Sequence, residues 1–182
     1  MEIINTNISE LKILKPNIIK DKRGFFQETY RENWFQENVA NFSFVQDNYS
    51  KSSKGTLRGL HYQTKQPQGK LVKVLSGKIF DVAVDLRSSS KTFGHHFGIE
   101  LSSDNSLQLW IPPGFAHGFY VLSESAEFFY KCTDYYLPSH EKVILWSDKD
   151  LDITWPISKI MTPQLSIKDT KGISFKNAYY FD

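Results

Sequence analysis

The sequence predicts an all-β fold, and three observations support this. Aromatic residues make up 15% of the chain, with 14 Phe, 9 Tyr and 4 Trp, and aromatic side chains favour strands. Short alternating or apolar runs recur along the chain, separated by Gly, Pro, Ser, Asn and Asp. The pattern gives about ten strands and leaves little room for crossover helices. Many short strands at this spacing are typical of a sandwich, a barrel or a jelly roll.

Turn residues set the borders of the predicted elements. The predicted strands lie, in chain order, in LKILKPNIIKD, GFFQETY, NFSFVQDNYS, GTLRGLHYQ, KLVKVLSGKIFDVAVDLR, HFGIELS, SLQLWIPPG, HGFYVLS, AEFFYKCTDYY and KVILWSD. The segment ENWFQENV is the best short helix. Ser76 and Gly77 stand between two strand-like runs, which predicts a hairpin at that turn. No Pro- or Ser-rich linker, low-complexity segment or repeat divides the chain, so we expect one domain over residues 1–182.

The charge balance and the cysteine content narrow the class of protein. The chain has 22 basic and 20 acidic side chains and a net charge of +2, which does not favour nucleic acid or a membrane surface as partner. A single cysteine, Cys132, rules out an internal disulfide framework and fits a reducing compartment. The first residues lack the apolar core of a signal peptide, and no run approaches membrane-spanning length. We therefore expect a soluble, cytoplasmic protein.

Alternation in the run IFDVAVDLR places two carboxylates on one face of a strand. Asp81 and Asp85 share a face with Ala83, whereas Val82 and Val84 point to the opposite face. A carboxylate on the inward face of a barrel is costly unless it is paired or used. The run therefore predicts that these acids have partners or a function inside the protein.

His61 lies in an apolar, strand-like setting in RGLHYQTKQPQGKLV, and three interpretations of it are open. A metal site on a strand needs ligands at alternate positions, but Gly59 and Gln63 occupy those positions. His117, in PPGFAHGF, adds one imidazole but no placed carboxylate. A single histidine in an apolar stretch is more often a core residue with satisfied hydrogen bonds than a catalyst. The third interpretation, a general base, depends on the neighbouring charges.

Charged side chains near His61 favour the catalytic interpretation. Arg58 lies three residues before it, Lys70 follows at a spacing typical of a hairpin, and Asp81 comes from the next strand. Charged groups that converge inside a barrel require a ligand or one another. In a regular strand Arg58 would face away from His61. We therefore predict a bulge at Gly59 that turns both side chains inward.

Such a group suits proton abstraction next to a carbonyl. A histidine, with an ordinary pKa of about 6.5, takes the proton, and a fixed cation such as Lys70 stabilises the enolate oxygen. Tyr130 is a candidate for the acid that returns a proton on the other face. Asp169, in LSIKD, is a candidate for the carboxylate that orients the imidazole. The sequence has no glycine-rich phosphate loop, so a nucleotide would be held by side chains such as Arg23 and Arg58.

With these residues assembled, the chain resembles the dTDP-4-dehydrorhamnose 3,5-epimerase family of bacterial sugar-nucleotide enzymes. The resemblance runs from Asp21 to Asp169, and the order and spacing of its motifs make it specific. The motifs are DKRGFFQE, VQDNYS, LRGLHYQ, QGKLVKVLSGKIFDVAVDLR, LWIPPGFAHGF, FFYKCTDYY, ILWSD, WP and LSIKD.

The resemblance implies a fold, an assembly and a reaction. The implied fold is a cupin-type jelly roll, or double-stranded β-helix, with short flanking helices. The implied assembly is a homodimer that works without a metal ion or an organic cofactor. The implied substrate is dTDP-4-dehydro-6-deoxy-D-glucose, which is epimerised at carbons 3 and 5 to the L-lyxo ketosugar that precedes dTDP-L-rhamnose.

The resemblance also implies roles for individual residues. By position, His61 matches the general base of the family and Asp169 its dyad partner. Tyr130 matches the general acid, and Lys70 matches the cation at the ketone oxygen. The implied substrate-binding set is Arg23, Phe25, Glu28, Gln46, Asp47, Asn48, Arg58, His117, Tyr136, Glu141 and Lys168. Of these, Phe25 and Tyr136 are expected near the thymine.

Three alternatives remain open from the sequence. A mono-epimerase of the same superfamily, which inverts only carbon 3 or carbon 5 of another deoxysugar, would keep nearly the same motifs. A metal-dependent cupin oxygenase or isomerase is disfavoured by Gln63. A non-catalytic sugar-binding jelly roll would need neither a tyrosine acid nor a His–Asp pair.

Overall fold

The computed structural model describes residues 1–158 and 162–182. Over these residues the chain forms 13 strands and two short α-helices, so the all-β prediction is confirmed. The strand number exceeds the predicted one partly because the first predicted run contains two strands, separated at Pro16. None of the helices in the described residues is long and apolar enough to cross a membrane.

The larger sheet has six antiparallel strands. Its order is β1-β2-β10-β7-β12-β5. The strands are β1 (Glu2–Asn5), β2 (Lys12–Lys15), β5 (Gln46–Ser53), β7 (Lys70–Ser76), β10 (Gln108–Ile111) and β12 (Ser125–Cys132).

The second sheet has five antiparallel strands and faces the first. Its order is β13-β6-β11-β8-β9. The strands are β6 (Leu57–Gln63), β8 (Lys78–Asp85), β9 (His96–Ser102), β11 (Phe115–Val121) and β13 (Glu141–Val143). Apolar side chains of both sheets, such as Val72 and Phe128 from the first and Phe119 from the second, pack in one buried cluster. Two sheets closed over a shared core form the predicted cupin-type jelly roll.

The remaining elements lie around this jelly roll. Strands β3 (Ile18–Asp21) and β4 (Gly24–Gln27) form a separate two-stranded hairpin. The predicted short helix is confirmed as α1 (Glu32–Asn38), which buries Phe35 against Trp110. Two 3₁₀ turns and the short helix α2 complete the chain at Pro138–His140, Phe175–Asn177 and Ile167–Thr170.

The predicted hairpin at Ser76 and Gly77 is wrong. The strand before this turn, β7, pairs with β10 and β12, whereas the strand after it, β8, pairs with β9 and β11. The turn therefore carries the chain from one sheet to the other. Gly77 has a φ of +81°, and a Cβ there would lie 2.1 Å from the carbonyl oxygen of Ser125, so the crossing requires glycine. For the same topological reason β6 and β7 are not a hairpin, and Lys70 belongs to the sheet opposite His61.

The predicted bulge at Gly59 is confirmed. His61 pairs with His117 and Arg58 pairs with Phe119, so Gly59 and Leu60 together stand opposite Gly118 alone. The extra residue breaks the alternation of side chains, and both Arg58 and His61 line the same cavity. Gly59 has a φ of +132°, and a Cβ there would lie 2.5 Å from the Cα of Gly118.

Candidate active site

A cavity of about 300 Å³ opens between the two sheets. Residues of six strands, β5, β6, β7, β11, β12 and β13, form its wall, and residues outside the strands close it. The residues that line it are Gln46, Asn48, Ser50, Arg58, His61, Gln68, Lys70, His117, Gly118, Phe119, Phe128, Tyr130, Tyr136, Glu141 and Lys168. The structure thus brings together most of the residues that the sequence predicts for a site.

His61 and Asp169 form a hydrogen-bonded pair at the cavity wall. The Nε2 atom of His61 lies 2.5 Å from Oδ1 of Asp169. Ser166, the N-cap residue of α2, donates its hydroxyl to the other carboxylate oxygen at 2.7 Å. Burial opposes ionisation of Asp169, but the hydrogen bonds from His61 and Ser166 outweigh it and hold the pKa of the carboxyl below its usual value. The carboxylate occupies Nε2, which leaves Nδ1 as the nitrogen that can accept a proton from a ligand.

Lys70 is a half-buried cation in the same cavity. Burial lowers the pKa of Lys70, and the nearby groups Cys132, Glu141 and Asp81 oppose that shift. Since β7 and β6 belong to opposite sheets, the ammonium group and His61 approach the cavity from two different walls. A ligand carbonyl placed between them would have a base beside its α-carbon and a positive charge near its oxygen.

Tyr130 supplies a hydroxyl from the inner face of β12. Burial raises the pKa of Tyr130 to about 12, which keeps the phenol protonated over the physiological range. Its ring packs against Phe128, with 5.5 Å between the ring centroids, and this contact limits its movement. A phenol in this state can donate a proton, but cannot act as the resting base.

His117 and Asp81 form a second buried pair. The Nε2 atom of His117 lies 2.9 Å and 3.0 Å from the two carboxylate oxygens of Asp81, which is fully buried. Burial lowers the pKa of His117, and the contact with Asp81 opposes the shift. Asp85 is also fully buried and is bound by Arg87 at 2.7 Å. The prediction that the inward carboxylates of β8 are paired is therefore confirmed.

Glu141 connects three functional side chains at the cavity mouth. Its Oε2 atom accepts hydrogen bonds from Lys168 at 2.6 Å and from the hydroxyl of Tyr136 at 2.8 Å. Its Oε1 atom lies 4.0 Å from Nδ1 of His61. Burial disfavours the charged form of Glu141, but the bonds from Lys168 and Tyr136 outweigh it and lower the pKa. Arg58 lies on the same wall and donates to the hydroxyl of Ser52 at 3.0 Å.

Comparisons with known proteins agree with this geometry. The family model described as dTDP-4-dehydrorhamnose 3,5-epimerase matches residues 5–177. The chain belongs to the dTDP-4-dehydrorhamnose 3,5-epimerase family.

Individual relatives of this epimerase family cover nearly the whole chain. A dTDP-4-dehydrorhamnose 3,5-epimerase from Shigella flexneri is 51% identical over 100% of this chain and 99% of its own length. One from Neisseria gonorrhoeae is 54% identical over 98% of this chain, which spans 54% of that longer relative. A crystal structure of dTDP-6-deoxy-D-glucose-3,5-epimerase from Legionella pneumophila, in complex with dTDP-4-keto-L-rhamnose, is 53% identical. It superposes with a TM-score of 0.94, covering 97% of this chain and 93% of that chain.

Four of the residues that the sequence predicts to bind substrate do not line the cavity between the two sheets. Asp47 points away from it and binds Lys131 at 2.9 Å. The other three lie on or just after the β3–β4 hairpin, and they are Arg23, Phe25 and Glu28. They stay predictions.

The sequence reasoning missed several residues that line or support the epimerase site. Ser50 lines the cavity with Gln46 and Asn48, and the two-residue period of β5 would have identified it and excluded Asp47. Ser166 supports Asp169, and the N-cap pattern before a short helix is its only signal in the sequence. Gln68, Phe119 and Phe128 also line the cavity, but only the folded topology brings them there.

The position of Gln63 and the grouping of the acidic and imidazole side chains bear on whether the site could hold a metal ion. Within residues 1–158 and 162–182, no three His, Cys, Asp or Glu side chains are grouped so that they could hold a metal ion. Gln63 is 4% exposed, and its amide is bound to loop backbone rather than aimed at His61. Activity without a metal ion stays a prediction.

Proposed function

We propose that this chain epimerises dTDP-4-dehydro-6-deoxy-D-glucose at carbons 3 and 5 to dTDP-4-dehydro-L-rhamnose, a step of dTDP-L-rhamnose biosynthesis. The observation that carries the proposal is the His61–Asp169 pair in one cavity with Lys70 and Tyr130. The family assignment supports it, as does the dTDP-4-keto-L-rhamnose bound in the related Legionella structure.

The two inverted carbons have the same chemical relation to the ketone. Carbons 3 and 5 both adjoin the carbonyl at carbon 4, so removal of either proton gives an enolate on the same oxygen. Nδ1 of His61 takes the proton, and Asp169, bound at Nε2, stabilises the imidazolium that forms. Lys70 stabilises the negative charge that develops on the ketone oxygen.

Inversion requires that the new proton arrive on the opposite face of the sugar. Tyr130 is protonated, with a pKa of about 12, and reaches the cavity from the sheet opposite His61. We infer that it donates its proton to the enolate carbon and afterwards recovers a proton from water. A base on one face and an acid on the other turn proton exchange into inversion.

The nucleotide part of the substrate needs positive charge for its diphosphate. Arg58 and Lys168 line the cavity near its mouth, and Gln46 and Asn48 add amide groups there. Arginine and lysine side chains are the usual partners of phosphate oxygens where no glycine-rich loop is present. We propose that this wall holds dTDP while the sugar extends toward His61.

We also propose that the chain is a single domain over residues 1–182 and forms a homodimer in the cytoplasm. Exposed apolar side chains on the β3–β4 hairpin support the dimer, since Ile19 is 61% exposed, Phe25 65% and Phe26 68%. Sedimentation should give a dimer for the native chain, and Phe26→Ser should shift it toward monomer. A monomeric native chain contradicts the proposed assembly.

The reaction is tested by proton NMR of dTDP-4-dehydro-6-deoxy-D-glucose with the protein in deuterated water. We expect deuterium at carbons 3 and 5 and a product with inverted configuration at both. Inversion at one carbon alone identifies a mono-epimerase. No exchange at either carbon contradicts an epimerase function and favours a sugar-binding protein.

A further inference from the structure

The segment between β12 and β13, residues 133–140, forms one wall of the cavity mouth. It has no regular secondary structure before its 3₁₀ turn, yet it carries Tyr136, whose ring lines the cavity. Backbone groups of an irregular segment that packs against the protein need hydrogen-bond partners from elsewhere. For residues 134–137, those partners are side chains.

Three glutamine side chains bind four consecutive backbone positions of the segment. Gln68 donates to the carbonyl oxygen of Asp134 at 2.8 Å, and Gln63 donates to that of Tyr135 at 3.2 Å. The side-chain oxygen of Gln46 accepts from the amide of Tyr136 at 2.9 Å, and that of Gln63 accepts from the amide of Leu137 at 2.8 Å. We call Gln46, Gln63 and Gln68 the glutamine clamp.

The chemistry of the clamp explains the choice of residue. A carboxamide offers donors and an acceptor in one uncharged group, so Gln63 can bind a carbonyl and an amide of the same segment. Gln63 is buried, with 4% exposure, where a charged side chain would be disfavoured. The clamp also draws on two different strands, β5 for Gln46 and β6 for Gln63, and on the loop after β6 for Gln68. It fixes the segment relative to both sheets.

We propose that Gln46, Gln63 and Gln68 are positioning residues that hold the ring of Tyr136 where it contacts the nucleotide of the substrate. The inference rests on the proposed function, because it takes dTDP as the ligand at this wall. Gln63 occupies the strand position at which a metal-binding cupin would need a metal ligand, and here it supports binding of the nucleotide instead.

The effect of the clamp should fall on binding rather than on proton transfer. Tyr136 contacts Glu141, but Lys168 holds the same carboxylate oxygen independently at 2.6 Å. The His61–Asp169 pair is supported by Ser166, on a different element. Loosening the segment therefore leaves the reacting groups in place.

The test is a double-mutant cycle on the affinity for dTDP, measured by calorimetry. The proteins are the native chain, Gln63→Leu, Tyr136→Ala and the double variant. We expect each single change to weaken dTDP binding by about tenfold, the size of effect expected from a buried hydrogen-bond partner left unpaired. The double variant should bind no more weakly than Tyr136→Ala, because Gln63 acts through Tyr136. At saturating substrate, kcat of Gln63→Leu should stay within about twofold of native, as expected when only uniform binding is lost.

A matched control and a milder variant complete the design. Ser123→Ala removes a side chain that also binds loop backbone, to Lys78 and Ser125, at a turn remote from the cavity, and it should leave dTDP affinity unchanged. If Gln63→Leu does not fold, Gln68→Ala takes its place in the cycle with an expected loss of about threefold.

The possible results separate the two proposals. A native chain that does not bind dTDP overturns the proposed function, and the clamp with it. Native binding with undiminished affinity in the glutamine variants overturns the clamp alone. Additive losses in the double variant, or a fall in kcat that exceeds the loss of affinity, also overturn it.

Discussion

The cavity wall and the β3–β4 hairpin both carry predicted substrate-binding residues, but they hold their charges differently. In the cavity, Glu141 has a side chain that is 12% exposed and binds Lys168, 27 residues further along the chain. On the hairpin, Arg23 has a side chain that is 84% exposed and binds Asp21, two residues before it. The fold therefore fixes the cavity charges before a ligand arrives, whereas the position of the hairpin charges depends on what the hairpin contacts.

The largest expected effect lies on the cavity side. Replacing His61 with Asn keeps a polar group but removes the proton acceptor, so deuterium exchange at both carbons should fall by about 10²–10⁴-fold. Exchange is followed by NMR in deuterated water. His95→Asn, at an exposed position before β9, is the control and should exchange at the native rate. Near-native exchange in His61→Asn would remove this residue from the mechanism.

The next effect separates the two faces of the sugar. In Tyr130→Phe the base and Lys70 remain, so the enolate still forms and protonated His61 can return deuterium on the face it attacked. We expect deuterium uptake with retained configuration, while inversion falls by about 10²–10⁴-fold. One NMR time course measures both quantities. Equal losses of exchange and inversion would place Tyr130 before the enolate, and unchanged inversion would exclude it as the acid.

A smaller effect tests whether the hairpin belongs to the site. Arg23→Ala should weaken dTDP binding by about tenfold, a typical loss for a charge-assisted hydrogen bond, and leave kcat unchanged. Lys22→Ala, at the neighbouring exposed position, should leave the affinity unchanged. Both affinities are measured by calorimetry. Native affinity in Arg23→Ala would place the hairpin outside the site.

The smallest effect concerns stability and pH. Asp169 has a pKa below its ordinary value of 3.8 in the folded chain, so its ionisation stabilises the fold above that value, and the stabilisation is lost as the pH falls through the folded pKa. Asp169→Asn should therefore lower Tm by about 2–4 °C near neutral pH, the shift that about 1 kcal/mol produces in a chain of this size. The difference should shrink toward about pH 3. Asp104→Asn, at an exposed turn, is the control, and a difference that grows in acid would contradict the assignment.

The sequence predicted best what depends on local pattern. The alternation in β8 predicted that Asp81 faces inward. Gly59 predicted the bulge that turns Arg58 into the cavity. The prediction failed where a turn had to be assigned to one sheet or two, because a glycine with positive φ serves a hairpin and a crossing equally well. Contacts between distant segments, such as that of Asp169 with His61, are set by the folded topology. The residue pattern offered Asp169 only as a candidate, and the family resemblance supplied its pairing with His61.

The crossing at Gly77 has a consequence for how the chain folds. Because β7 and β8 enter different sheets, neither can use the other as a local template. The strand-pairing partners are far apart in the sequence. Leu14 pairs with Gln108, Ser53 pairs with Ser125, and His61 pairs with Val143. Contacts this distant in sequence make folding slow, because long loops must close before the pairing stabilises them. During synthesis, neither sheet can be completed until most of the protein has left the ribosome.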